Sequence, residues 1–230
     1  RPINDRFSFT ANVWEHLDLV CLRLNTPHRF TDKSFHRMLL RIRKGNPSKR
    51  DIRKLNSRIF TYEEVQNMTD DIKPTMLFSR KFDVCDVNEE QLEKINGREY
   101  TYSANDRIEH KNKGNEKTVN IDLLQSFKKI LDKSVDKMIR LKVGAQVMLT
   151  YNIDIERGLV NGTRGVVIAC SEMSVDVSFD NGVITSIGYN EWSVETESYT
   201  IIRKQIPLIL AWAITLHKSQ GATISKVVTS

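Results

Sequence analysis

The amino-acid sequence predicts a mixed α/β protein in which a domain built on a parallel sheet is interrupted by a small antiparallel β-barrel. Three observations predict it. Up to about Ala104 the chain carries helix start and stop signals around short apolar runs. From Met138 onward, brief β-rich runs alternate with Asn-Gly turns, as in small barrels. The run Ile206 to Leu216 then breaks that pattern, being continuously apolar and followed by a polar string and a second apolar run. Continuous apolar strands mark a parallel sheet covered on both faces.

The elements follow in order. Ser34 to Lys44 places Phe35, Met38, Leu39 and Ile42 at helical spacing, with Asp32 or Ser34 as N-cap and Gly45 as the stop. Ser48 with Asp51, and Thr61 with Glu64, have capping-box spacing. After the apolar run Met76 to Phe78, Asp86 to Ile95 reads as a helix closed by Asn96-Gly97. The string NDRIEHKNKGNEKT (105–118) has almost no apolar residue, so it is expected to be a mobile loop marking a boundary. A short helix near Ile121 to Leu131 precedes the strands. These are Met138 to Leu141, Ala145 to Tyr151, Thr163 to Ala169, Val175 to Phe179, Val183 to Ile187 and Tyr199 to Lys204. Asn161-Gly162 and Asp180-Asn181-Gly182 supply the tight turns between them, and Gly162 and Gly165 serve backbone geometry. The expected division is 1–104 for the first segment of the parallel-sheet domain, 105–203 for the inserted barrel with its charged loop, and 204–230 for the second segment.

Composition narrows the function. The 230 residues include 35 Lys and Arg against 29 Asp and Glu, a net charge of +6. With 40% hydrophobic and 28% charged residues, collagen-like, mucin-like and wholly disordered classes are excluded. The eleven-residue apolar run is too short for a membrane span, which needs about 20. Cys21, Cys85 and Cys170 lie far apart with no metal-ligand spacing, so neither a disulfide framework nor a metal site is expected, and the expected compartment is reducing and intracellular. Starting at Arg1-Pro2 and stopping inside a β-prone stretch, the chain reads as part of something longer. The positive charge is uneven: nine Lys and Arg and one acid, Asp51, lie between Arg37 and Arg58, which fits a solvated helical face or a phosphate-facing one.

The most informative stretch is Thr215-Leu216-His217-Lys218-Ser219-Gln220-Gly221. A buried strand that ends in hydroxyl, imidazole, ammonium and amide groups presents many phosphate donors where open α/β sheets bind ligands. An ordinary strand-to-helix loop has the same polarity. The order of residues separates the two: TLHKSQG resembles motif V of superfamily 1 helicases, and LAWAITLHKSQGATI resembles the form found in PIF-type (petite integration frequency) DNA helicases and their RecD-like relatives. LKVGAQVMLTYN (141–152) and GLVNGTRGVV (158–167) are similar to that family's inserted barrel. Trp14 and LNTPHRFTDKSFHRMLLRIRKG (24–45) resemble the segment that carries the motif IV arginine, which matches Arg29. The sequence departs from the family at Phe30, where Gln is common, and at Lys81, where Asn is usual in the string Leu77-Phe78-Ser79-Arg80-Lys81.

The resemblance implies a RecA-like parallel-sheet domain with an inserted small antiparallel SH3-like β-barrel, in an ATP-dependent helicase that moves 5′ to 3′ on single-stranded DNA and opens forks. It implies Arg29 as the arginine finger at ATP, with Gln220 and Gly221 also on the nucleotide side. Thr215, His217, Lys218, Ser219, Asn161, Arg164, Ser79 and Arg80 would hold the DNA strand. ATP and Mg2+ are the implied cofactors, both needing a first RecA-like domain, since nothing here fits G-x-x-x-x-G-K-[ST]. The expected partners are single-stranded DNA, DNA forks and that domain, with no membrane and a monomeric state. A non-catalytic single-stranded nucleic-acid-binding module, or a scaffold for a replication partner, is the alternative the residues leave open.

Overall fold

Asp32 starts the first long helix because its carboxylate accepts the amide hydrogens of Ser34 and Phe35 at 2.8 and 3.0 Å. In the computed structural model, residues 7–24, 26, 32–66, 72–111, 121–196, 199–222 and 224–229 are described. They fall into two compact units, Arg1–Thr61 and Tyr62–Ser230. In the first unit, Phe7 stacks on Phe9 with ring centroids 5.1 Å apart, and Phe9 meets Trp14 edge-on. Helix α1 (Lys33–Arg43) buries Met38, and α2 (Lys49–Asn56) opens with the capping box the spacing predicts. Arg41 of α1 donates from Nε and Nη2 to the two carboxylate oxygens of Asp51 at 2.7 and 2.6 Å, tying the helices together. Ser48 donates to the same carboxylate from its amide and its hydroxyl.

The second unit begins with α3 (Tyr62–Gln66) and is built around a parallel sheet of three short strands, β1 (Thr75–Phe78) lying between β12 (Ala213–Thr215) and β13 (Val227–Thr229). Helix α4 (Lys81–Glu93) follows β1 and packs on β12. Between these segments run β2 (Tyr100–Ser103), β3 (Asn105–His110), α5 (Ile121–Ser134), β4 (Met138–Leu141), β5 (Gln146–Leu149), β6 (Arg164–Cys170), β7 (Ser174–Phe179), β8 (Ile184–Gly188), β9 (Asn190–Glu195), β10 (Tyr199–Gln205) and β11 (Leu208–Leu210). Their antiparallel sheets are β11-β5-β6-β7-β8, β3-β10-β9 and β2-β4. The strand periodicity shows in β7, whose alternate residues Val175, Val177 and Phe179 are buried. Val175 and Val177 join Leu149, Val167, Ile187 and Leu208 in the main core, which also takes Leu92 of α4 and Trp212. Gly165 is required by close approach: a Cβ there would meet Val177 Cγ1 at 2.5 Å and the Ser178 carbonyl oxygen at 2.7 Å. No helix among the described residues is long and apolar enough to cross a membrane.

Three expectations are corrected. The antiparallel strands do not close into a barrel among the described residues; they form separate sheets. The chain passes from one sheet to the next at Tyr189, between β8 and β9, and at Ile206-Pro207, between β10 and β11, where the Ile206 amide donates to Gln205 Oε1 and proline has no N–H to donate. The charged string at 105–118 is not a loop at its start. Residues 105–110 form β3 because their charges are complemented across the sheet: Asp106 receives Arg203 at 2.7 and 2.8 Å, and Arg107 donates to both oxygens of Glu191. Beyond Lys111 the string lies outside the described residues. Helix α4 also begins five residues earlier than its sequence signal.

The Arg41 guanidinium holds the Asp51 carboxyl well below the usual carboxylate range. With the folded value below the unfolded one, this stabilisation is fully present above about pH 4 and drains away as pH falls toward the folded value. Ser48→Ala is expected to cost about 1 kcal/mol of helix stability, read as an approximately fivefold loss of amide-exchange protection in α2. Asp51→Asn should flatten the fall in melting temperature below about pH 4; an unchanged acid transition would contradict the assignment.

Candidate nucleic-acid interface

Parallel pairing decides which side chains meet. Phe78 is in register with Thr215, and Leu77 with Thr229, so all three strands deliver their carboxyl ends to one edge. Beyond Phe78 come Ser79 and Arg80, both exposed; beyond Thr215 comes the four-residue helix α6 (Leu216–Ser219), with exposed His217 and Lys218. Crevices at the carboxyl ends of parallel strands are where open α/β sheets hold ligands. Here the edge opens into a cleft of about 770 Å³ whose lining includes Ser79, Asn88, Asp136, Arg140, Thr215, His217 and Lys218. Five Lys and Arg face three carboxylates in it.

The donors have defined local partners. Thr215 Oγ1 accepts the Lys218 amide at 3.2 Å, which shapes the turn and leaves the hydroxyl proton free to donate. Ser219 donates its hydroxyl to the Leu216 carbonyl, so that group is engaged within the helix. Lys218 Nζ sits 3.3 Å from Asp136 Oδ2, both about one-third exposed. Such a pair contributes little, so a phosphate can replace the carboxylate at small cost. Gln220 is exposed, and Gly221 turns the chain at φ +83°, in the left-handed region that favours glycine.

The strand beneath is held by polar residues that sequence reasoning did not single out. Asn88 of α4 donates to the Ala213 carbonyl at 2.9 Å and accepts the Ala213 amide at 3.0 Å. Thr75 donates to the Ala211 carbonyl at 2.8 Å, and Gln146 donates to that oxygen and to the Lys73 carbonyl. The sequence signal that could have found Asn88 is its place on the helical stripe between Val84 and Leu92, four residues to either side, where a polar residue needs a partner. Behind the cleft, the wholly buried Arg203 pairs with Asp106 and Asp132 and donates to the Val135 carbonyl, while Gln205 grips the Asp136 carbonyl at 3.2 Å. The segment carrying Asp136 is thereby fixed.

The remaining site residues lie elsewhere. Asn161 is exposed on the turn before β6, where its amide donates to Asn152. Arg164 corrects the sequence reading: it is 1% exposed and turned inward. Its guanidinium donates to the Lys73 carbonyl, to Thr75 Oγ1 and to Ser225 Oγ at 2.9, 3.2 and 2.7 Å, and Ser225 in turn donates to Asp180. Burial pushes its pKa down against the opposing influence of Asp180. The resemblance implied a cation holding DNA; the fold makes it a strut from β6 to the parallel sheet. Arg29 lies outside the described residues. Among the described residues no group of three or more His, Cys, Asp or Glu is gathered to hold a metal ion.

Comparison with known proteins fits this geometry. Residues 130–169 match the family model described as DNA helicase Pif1, 2B domain. Over 226 residues the chain is 35% identical to the ATP-dependent DNA helicase PIF1 of Xenopus laevis, covering 96% of this chain and 33% of that protein. Its fold is similar to that of Bacteroides sp. Pif1 in complex with ADP-AlF4, with TM-score 0.71 and 24% identity over 97% of this chain and 48% of that one. Bacteroides Pif1 in complex with ADP-AlF3 and ssDNA matches with TM-score 0.51 and 26% identity, covering 97% and 48% of the two chains. The chain spans between a third and a half of the length of the curated relatives it matches.

If Arg164 is a strut, Arg164→Met removes three hydrogen bonds and should destabilise the second unit by about 3 kcal/mol. That corresponds to a melting temperature lower by roughly 6–12 °C, with single-strand affinity per folded molecule unchanged. An unchanged melting temperature with weakened DNA binding would return Arg164 to the surface role.

Proposed function

The 2B-domain match, and homology along 96% of the chain, relate it to the PIF1-type DNA helicases, and from that premise we propose that it supplies the second RecA-like domain and the inserted SH3-like module of an ATP-dependent 5′ to 3′ DNA helicase. The observation that carries the reading is the parallel register of Phe78 with Thr215, which puts Ser79, Arg80 and the Thr215–Ser219 turn on one edge. Bacteroides Pif1 with a similar fold is known in complex with ssDNA.

In this reading Thr215, His217, Lys218, Ser79 and Arg80 hold phosphates of a single strand, with Asn161 on the insert as an outlying contact. Lys218 exchanges Asp136 for phosphate when DNA arrives. Gln220 and Gly221, where the chain turns away, link strand position to the nucleotide. Arg29 is the finger that stabilises charge spreading over the γ-phosphoryl group. The residues present fit one wall of a nucleotide site but not the cradle that grips ATP and magnesium: the sequence has no G-x-x-x-x-G-K-[ST] loop and the described residues gather no acidic set for a cation. Those groups fall to sequence beyond these 230 residues, consistent with relatives about three times as long. When bound, ATP and magnesium supply the hydrolysis that drives opening and closing of a two-domain gap. The substrates are single-stranded DNA and forks, the active species a monomer, and the setting intracellular.

Phosphate-directed binding predicts an affinity that falls with salt and is nearly independent of sequence. His217→Ala with Lys218→Ala should weaken single-strand binding and lower the slope of log K against log salt by about 0.7 for each phosphate no longer held. Equal binding and slope would remove the cluster from the interface. In the complete polypeptide, Arg29→Ala should reduce DNA-stimulated ATP hydrolysis by about 10³-fold or more while leaving single-strand affinity within twofold; an undiminished rate would exclude it as the finger.

A further inference from the structure

The basicity of the chain is almost wholly local. Nine of its 35 Lys and Arg, and one of its 29 Asp and Glu, lie between Arg37 and Arg58; the rest of the chain holds 26 cations against 28 carboxylates. The structure shows why that stretch keeps its charge. Its single acid, Asp51, is 4% exposed and consumed by Arg41 and the Ser48 cap, so it neutralises one cation and screens none of the others. On and just after α2, Lys49, Arg50, Arg53, Lys54 and Arg58 are exposed. Arg37, Arg43 and Lys44 add three more from α1 and its end. No ion pair engages these eight among the described residues; Lys54 lies 5.6 Å from the centre of the Phe35 ring.

Eight cations on and just after two short helices, with Lys54 partly offset by the Asp32 carboxylate, repel one another, and that arrangement is stable in company with a dense polyanion. We propose that the α1–α2 pair of the first unit is a docking surface for the phosphate backbone of duplex DNA, separate from the single-strand cluster of the second unit. Charge density selects the duplex. Helix α2 is about 12 Å long, and over that length a duplex presents about seven phosphates whereas one strand presents about half as many. The four cations of α2 already reach what a single strand offers over that length, and Arg58 just past it, with Arg37, Arg43 and Lys44 from α1 and its end, exceed it. The arginines also favour phosphate, whose oxygens accept their paired N–H donors. Arg50 lies three residues before Arg53 and four before Lys54, spacings that align side chains along one helical stripe, and Arg58 follows just past the helix end. The Arg41–Asp51 clasp holds the two helices so that both rows present together.

This surface rests on the DNA-binding reading, yet its test is independent of it. The complete polypeptide is titrated with a blunt duplex and with a single strand of the same length, each over a range of salt. Arg50→Gln with Arg53→Gln and Arg58→Gln should weaken duplex binding about tenfold or more at low salt and lower its log–log slope by about 2–3, with single-strand affinity unchanged within twofold. Arg50→Lys with Arg53→Lys and Arg58→Lys, which keeps the charge, should retain the slope. An unchanged duplex slope in the glutamine variant, an equal loss on the single strand, or an equal loss in the lysine variant would each overturn the proposal. Failure of the His217 and Lys218 cluster is read separately, from the single strand alone.

Discussion

Everything at the candidate site depends on the parallel pairing of Thr75–Phe78 with two strands that come from far along the chain. A parallel pair cannot be closed by a tight turn; here the crossover is most of the second unit, and the hydrogen bond from Thr75 to the Ala211 carbonyl joins residues 136 positions apart. Three short strands bury too few ladder hydrogen bonds to fix such a pairing alone. Buried side-chain amides, hydroxyls and one guanidinium supplement them: Asn88 brackets Ala213, Gln146 holds Ala211, and Arg164 spans Lys73, Thr75 and Ser225. Each such group is costly if left unpaired, so register and network enforce each other.

The same network joins the antiparallel sheets to the site. Arg164 begins β6 and Gln146 begins β5, so the strands that carry the Asn161 turn are braced directly against β1. From the other side, Arg203 and Gln205 of β10 fix Val135 and Asp136, and Asp136 reaches Lys218. A phosphate that takes Lys218 from Asp136 therefore acts on a segment anchored in the insert. In the proposed function, that linkage would give the antiparallel sheets a physical route to respond to a strand held at the edge of the parallel sheet.

Sequence reading was strongest where the determinants are local. The Ser48–Asp51 box, the α1 stripe and strands such as Met138 to Leu141 needed only spacing and alternation. It failed where the partner is remote. The string starting at Asn105 looks unfoldable until Arg203 and Glu191 are set beside Asp106 and Arg107. Strand β9 alternates half-buried Trp192 and Val194 with exposed Glu191, Ser193 and Glu195, an apolar signal of only two residues. Arg164 shows the limit most clearly, since a buried cation and a surface cation are the same letter until the oxygens around it are known. The Thr215–Gly221 turn was legible because one continuous string holds it; its proximity to Ser79 and Arg80 became visible only with the register.

The central claim is that the edge where Phe78 and Thr215 end is the strand-holding wall of a directional motor. The most direct measurement is unwinding by the complete polypeptide, with ATP, of a duplex carrying a 5′ or a 3′ single-stranded tail, alongside hydrolysis with and without single-stranded DNA. The account predicts hydrolysis stimulated by DNA and unwinding only from the 5′ tail. DNA binding with no hydrolysis, or unwinding from the 3′ tail, would contradict it.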